Sequence, residues 1–316
     1  MADPRREAER RRGTRPTKRS FEDQFSDHAS PLGAELVRDH ETLRKLAGQE
    51  LQQPQETRII TVANQKGGVG KTTSAVNIAA GLALGGLRVL VIDADPQGNA
   101  STALGIEHST GTPSTHEVIM GDMSINEVMK ECPDVKNLWV VPSTIDLSAV
   151  EISLVLEEGR EYRLKNAIEH ANLNLDYIII DCPPSLGLLT LNALVAAKEV
   201  LIPIQTEYYA LEGLADLSQT IDRLKELNPE LHIRGVLRTL FDSRNTLAND
   251  VSAELESHFG DLMFKTIIPR NVRLAEAPAH GMPVLEYEKS SKGAQAYRKL
   301  ATEIIKQSRQ LSSKSD

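Results

Sequence analysis

The sequence predicts a doubly wound α/β fold, a mostly parallel sheet of about seven to eight strands flanked by helices. Three observations carry this expectation. From Arg58 onward, short apolar runs rich in β-branched residues alternate with longer segments of helical character. The runs are apolar at nearly every position rather than at every second one, as strands buried on both faces require. The first run also empties into a glycine-rich turn that leads straight into a helix.

Taken in order, RIITVAN (58–64) precedes a helix over 71–86, and RVLVIDA (88–94) and LWVVPS (138–143) follow. A helix over 160–171 leads to YIIID (177–181), and a helix over 187–198 leads to VLIPIQ (200–205). A helix over 211–227 comes before IRGVLRTLF (233–241), and one over 248–259 before FKTIIP (264–269). A last helix spans 292–308. In open sheets of this type ligands sit beyond the carboxyl ends of the strands. Residues 58–310 are therefore read as one domain, with no internal repeat.

Residues 1–57 differ. They have little apolar content and no sustained periodicity, apart from a short amphipathic stretch with Leu36, Val37, Leu43 and Leu46 that suits one helix. The first twenty carry eight basic side chains against three acidic ones, a net +5, which leaves −13 for the rest of a chain whose formal total is −8. This segment reads as a largely disordered basic extension.

Composition excludes several classes. With 316 residues, 40% hydrophobic and 25% charged, the chain is neither collagen-like, low-complexity nor a disulfide framework. No apolar run approaches the ~18 residues of a membrane-spanning helix, and the basic start lacks the apolar stretch of a secretory signal. Cys132 and Cys182 form no metal-binding spacing and read as small apolar fillers in a reduced, cytoplasmic setting.

The turn after the first run is Asn64-Gln65-Lys66-Gly67-Gly68-Val69-Gly70-Lys71-Thr72-Thr73. Glycines let backbone N–H groups turn towards an anion, and the following helix offers its positive end. Lys71 can reach the terminal phosphates of a nucleotide, and the Thr72 hydroxyl is placed to ligate Mg²⁺. The turn departs from the ordinary phosphate-loop pattern, which has glycine where this chain has Gln65, and it adds Lys66. Asp93 and Asp95, two apart at the end of the second run, share one face. Either alone could be a helix cap, but Asp181 ends another apolar run, and three strand-end aspartates beside one phosphate loop suit phosphoryl transfer to water.

KGGVGKTT resembles the deviant phosphate loop of the ParA/MinD ATPases. VIDADPQGNAS (91–101), YIIIDCPPSLGLLTLNAL (177–194), QTEYYALEGL (205–214) and IPRNVRLAEAPAHGMPV (268–284) resemble the chromosomal, Soj-like ParA branch, in order and over residues 57–307. The resemblance implies a P-loop NTPase fold, ATP and Mg²⁺ as cofactors and slow hydrolysis. It implies a face-to-face homodimer on ATP binding, in which Lys66 of each subunit reaches its partner's nucleotide. Residues Lys66 to Thr73 would bind nucleotide, including Gly67, Gly68, Val69 and Gly70, with Pro269 and Arg270 near the base or ribose. Asp95 would orient the attacking water. Asp93 and Asp181, with Thr72, would serve the metal, Asp93 also supporting the switch region. Lys66, Lys71 and Asp95 make up the catalytic set.

The family also binds double-stranded DNA non-specifically through surface cations, for which Arg223, Arg244, Arg270, Arg273 and Lys292 are the candidates here. A ParB-type centromere-binding partner would stimulate hydrolysis, giving a nucleoid-associated chromosome-partitioning ATPase. The basic extension is open between DNA assistance, contact with a polar scaffold, and simple disorder. A MinD-like ATPase that positions cargo at a membrane is the alternative, which the polar end IIKQSRQLSSKSD does not favour. A non-hydrolysing, ATP-dependent scaffold is a further one.

Overall fold

A computed structural model of the chain describes residues 51–312. The basic segment and the short helix expected before residue 51 lie outside the described residues. Residues 51–57 pack on the domain: the Leu51 N–H donates to the Gly85 carbonyl at 2.9 Å, and the Thr57 hydroxyl donates to the Leu175 carbonyl at 2.6 Å.

The sheet has seven strands in the order β3-β4-β2-β5-β1-β6-β7. They are β1 (Arg58–Val62), β2 (Val89–Asp93), β3 (Lys130–Glu131), β4 (Leu138–Val141), β5 (Tyr177–Asp181), β6 (Glu199–Gln205) and β7 (His232–Thr239). All neighbours run parallel except β3, which pairs antiparallel with β4. The doubly wound expectation therefore holds. β2 and β5 are buried at every position, and their Val, Ile and Leu side chains feed cores on opposite faces of the sheet.

The seventh apolar run, 264–269, is not a strand, contrary to the sequence expectation. Two isolated parallel bridges, Val236 to Met263 and Phe241 to Pro269, and backbone bonds near its two ends, from the Phe264 N–H to the Val236 carbonyl at 3.0 Å and from the Ile268 N–H to the Arg238 carbonyl at 2.9 Å, tie this stretch to the region of β7 without a continuous ladder. The physical reason is competition for its donors. The Lys265 and Thr266 N–H groups both donate to the Glu303 carboxylate, at 2.7 and 3.0 Å, so no ladder can form there. The two-residue strand β3 and several short helices, among them Asn99–Ala103 between the runs and Val272–Glu276 after the last of them, carry too little periodicity to be read beforehand.

On one face the helix Lys71–Leu84 lies between the sheet and the carboxy-terminal helix Lys292–Ser312. The contact is close: a Cβ on Gly81 would sit 3.1 Å from Ala301 Cβ. It also carries a buried polar link, Ser74 Oγ to Tyr297 Oη at 3.1 Å. The opposite face is covered by the helices Arg163–Ala171 and Leu188–Ala196. With both faces sealed, the carboxyl ends of β1, β2 and β5 remain as the place where polar groups meet an opening.

Candidate nucleotide site

β1 lies between β5 and β6, and β5 lies between β1 and β2. The register sets Val62 opposite Asp181, and Asp181 opposite Asp93. Three segments distant in sequence thus bring the phosphate loop, Asp181 and Asp93 side by side at one edge. Parallel pairing does this because equivalent strand ends align.

The loop ends at Gly70, whose φ of 85° is the left-handed conformation that glycine adopts without strain. Gly70 is the N-cap of the helix from Lys71, and no side chain caps that end. The first-turn N–H groups therefore have no intrahelical partner and remain available to an anion. Around the loop is a cavity of about 490 Å³, lined by Gly67, Gly68, Gly70, Lys71, Thr72 and Thr73 and also by Asp95. Its apolar wall includes Leu274, Ala277, Pro278 and Met282, residues that sequence reasoning did not single out. All four fall within the segment 268–284 that carries the resemblance, but as apolar residues without chemistry of their own they look individually like ordinary packing.

Each catalytic candidate has a distinct environment. Lys71 is buried, and its ammonium donates to the Lys66 carbonyl at 3.1 Å. Desolvation lowers its pKa, while Asp181 is first among the charges that oppose this. The Asp93 carboxylate accepts from the Ser101 N–H and hydroxyl, at 2.8 and 2.7 Å, and from the Asp95 N–H at 3.2 Å. It is fully buried, and desolvation pushes its pKa up to about 6 despite those hydrogen bonds. Both its oxygens are engaged, so this carboxylate holds the 94–101 loop in shape. Asp95 is carried by that loop and accepts from the Gln97 N–H at 3.0 Å.

Asp181 is the exception. It is fully buried, and neither oxygen meets hydrogen-bond geometry with a partner among the described residues. Its pKa is raised well above the ordinary value, first by desolvation and then by the Asp93 charge, while the nearby Thr72 hydroxyl acts in the opposite sense. An orphaned buried carboxylate is costly. Next to a threonine hydroxyl and a phosphate cradle, it is a donor set suited to a hard divalent cation.

The remaining candidates are more dispersed. Lys66 is half exposed and forms an ion pair with Glu207 at 2.5 Å. Arg270 is exposed, its N–H donating to the Phe241 carbonyl at 3.0 Å, and neither Pro269 nor Arg270 lines the cavity. Arg244 chelates Asp242 through two guanidinium nitrogens, at 2.9 and 2.7 Å, and holds that carboxyl down at about 2, with Arg270 adding to the effect. Arg244 and Arg270 therefore share one surface locality. Arg273 pairs with Glu276 at 2.6 Å, and Arg223 and Lys292 are exposed.

This fold, with a glycine-rich anion cradle, a buried lysine and an unpaired strand-end carboxylate, defines a P-loop nucleotide-binding protein. Residues 57–233 match the AAA domain family. The chain is 50% identical over 250 residues to the chromosome partitioning protein ParA of Myxococcus xanthus, covering 79% of this chain and 88% of that one. It is 51% identical over 248 residues to the sporulation initiation inhibitor protein Soj of Bacillus subtilis, covering 78% and 98%. The chain belongs to the ParA/Soj family of chromosome-partitioning proteins. Among solved structures, cobyrinic acid a,c-diamide synthase of Mycobacterium smegmatis, with bound ATP analogue and magnesium, aligns at 39% identity and TM-score 0.67, covering 78% of this chain and 93% of that one. The cell division ATPase MinD of Pyrococcus furiosus aligns at 27% identity and TM-score 0.67, covering 80% and 100%.

Proposed function

We propose that this chain is an ATPase of chromosome segregation: it binds Mg–ATP, dimerises face to face, holds DNA non-specifically as the dimer, and lets go when ATP is hydrolysed to ADP and phosphate. The observation that carries the reading is the unpartnered carboxylate of Asp181 beside the phosphate loop. Thr72 and Asp181 would hold the metal ion, which supplies charge neutralisation at the transferring phosphoryl group when bound. Lys71, kept in the cavity by its contact with the loop, turns to the terminal phosphates and completes the countercharge. Asp95 orients the attacking water, with Asp93 as the post that fixes its loop. Hydrolysis waits on dimerisation, because Lys66 comes from the second subunit, and it is slow enough for the dimer to persist on DNA.

The loop face supports dimerisation. A Cβ at Gly67 or Gly68 would meet nothing within 4 Å, so the backbone there lies open to a close approach. The neighbouring turn exposes Tyr208 and Tyr209, 75% and 68% accessible, in an edge-to-face pair. Exposed aromatics of this kind favour burial against a partner. Among the DNA candidates, Arg244 and Arg270 form the best local pair, although a DNA phosphate must compete with Asp242 for Arg244. Partner-stimulated turnover by a ParB-type protein, nucleoid association and a cytoplasmic setting complete the reading. No helix among the described residues is long and apolar enough to cross a membrane.

DNA co-sedimentation with ATP, with ADP and without nucleotide, at two salt concentrations, tests this. The expected result is binding with ATP alone that weakens steeply with salt, as phosphate neutralisation requires. It should persist longer in Asp95→Ala, which binds ATP but turns it over poorly. Binding indifferent to nucleotide would overturn the switch. No binding with ATPase activity intact would favour the MinD-like alternative, and an absence of turnover would favour the scaffold.

A further inference from the structure

We propose that Glu207 is a positioning residue for Lys66, holding its ammonium outside its own subunit's phosphate cavity until a second subunit arrives. The inference rests on the reading that Lys66 acts across a dimer. Its observation is the Lys66 Nζ to Glu207 Oε2 contact of 2.5 Å, which joins side chains 141 residues apart.

The surroundings make this contact a separable device rather than part of the loop's scaffold. The backbone of the loop is pinned by other groups. Asn64 Nδ2 donates to the Pro203 carbonyl at 2.8 Å, and Asn64 Oδ1 accepts from the Lys66 N–H at 2.9 Å. The Thr239 hydroxyl donates to the Val69 carbonyl at 2.7 Å. Glu207 is equally fixed by its own turn: its N–H donates to the Gln205 carbonyl, and its carbonyl accepts from the Ala210 N–H, both at 2.9 Å. Loss of the Glu207 carboxylate therefore frees only the Lys66 side chain. Both side chains are about half exposed, 50% and 54%, so the pair is weak and exchangeable. A weak contact suits a residue that must leave one carboxylate for the phosphates of a neighbouring nucleotide.

Two consequences follow from the placement. A lone subunit keeps Lys66 away from its own phosphates, so it lacks one of the positive charges that speed hydrolysis. Dimer formation must also break the ion pair, which sets the nucleotide concentration needed for association.

The test uses the full chain and a non-hydrolysable ATP analogue, with dimer fraction read by sedimentation. Glu207→Gln should lower the analogue concentration for half-dimerisation by roughly two- to fivefold, the scale of an exposed ion pair. The difference should vanish at about 0.5 M salt, where such pairs are screened. It should vanish as well in a Lys66→Ala background, because the effect acts through Lys66. An unchanged or raised concentration in Glu207→Gln overturns the proposal, and so does an effect that survives Lys66→Ala. A second measurement separates this contact from the dimer reading: acylation of the Lys66 amine in the nucleotide-free chain should be faster in Glu207→Gln. If the parent chain fails to dimerise, the cross-subunit role of Lys66 is wrong. Faster acylation then still identifies the contact, while equal acylation removes it.

Discussion

Asp181 and Gly67 carry opposite lessons about single residues. Burial and the Asp93 charge raise the proton affinity of Asp181, and burial raises that of Asp93. The native state thus binds protons that the unfolded chain, with ordinary carboxyls near pH ~3.9, does not hold at the same pH. Stability therefore rises as pH falls from neutral through the raised values, and the gain is complete once the unfolded carboxyls are protonated too. Asp181→Asn should flatten this rise in denaturant titrations between pH 7 and about 5, and should lose nucleotide hydrolysis. A parent-like pH profile in the variant would show that Asp181 is not the group taking up the proton. Gly67 has neither a left-handed φ nor a neighbour for an added Cβ. Gly67→Val should therefore leave thermal stability within about 0.5 kcal/mol of the parent, as an open surface position permits, while abolishing ATP-dependent dimers in sedimentation. The sequence alone marked both residues, through a glycine-rich turn and a strand-end acid. It could not show that Asp93 is consumed by its own loop, because that depends on Ser101 folding back onto it.

Elements of this sheet are tied together by charge as well as by apolar burial. Glu199 on β6 receives Arg58 from β1 at 2.5 Å and lies 3.2 Å from Arg234 on β7. Arg234 also donates to the Ile304 carbonyl of the carboxy-terminal helix at 2.6 Å. Glu199 and Arg234 are almost fully buried. Glu199→Ala would leave a buried guanidinium without its carboxylate and should cost about 3–5 kcal/mol, read as a fall in the urea midpoint without loss of nucleotide specificity. The apolar strands were legible because each is a run of Val, Ile and Leu bounded by polar residues, as YIIID at 177–181 shows. FKTIIP looked the same and is no strand, since the Glu303 carboxylate takes two of its N–H groups. Composition cannot reveal such competition, because the competing group lies more than thirty residues away. β3 was missed for another reason: two residues carry no period.

At the scale of the whole molecule, the site is a product of strand order. Asp93, Asp181 and the phosphate loop come from three separate strands, and the order β2-β5-β1 sets their ends side by side. The cavity is completed by residues 274–282, which reach it from the far end of the chain. The sequence by itself determined the fold class, the phosphate loop with both its lysines, and the strand-end aspartates. Those features are written in local periodicity and in short motifs whose chemistry depends on neighbours a few positions apart. Tertiary structure alone decided which aspartate has free oxygens, where Lys66 rests, and which apolar wall closes the cavity. It also left Pro269 and Arg270 off the cavity lining and gathered Arg244 and Arg270 around Asp242. The reason is physical: burial, charge coupling and competition for hydrogen-bond donors arise between side chains that meet only after the sheet has formed.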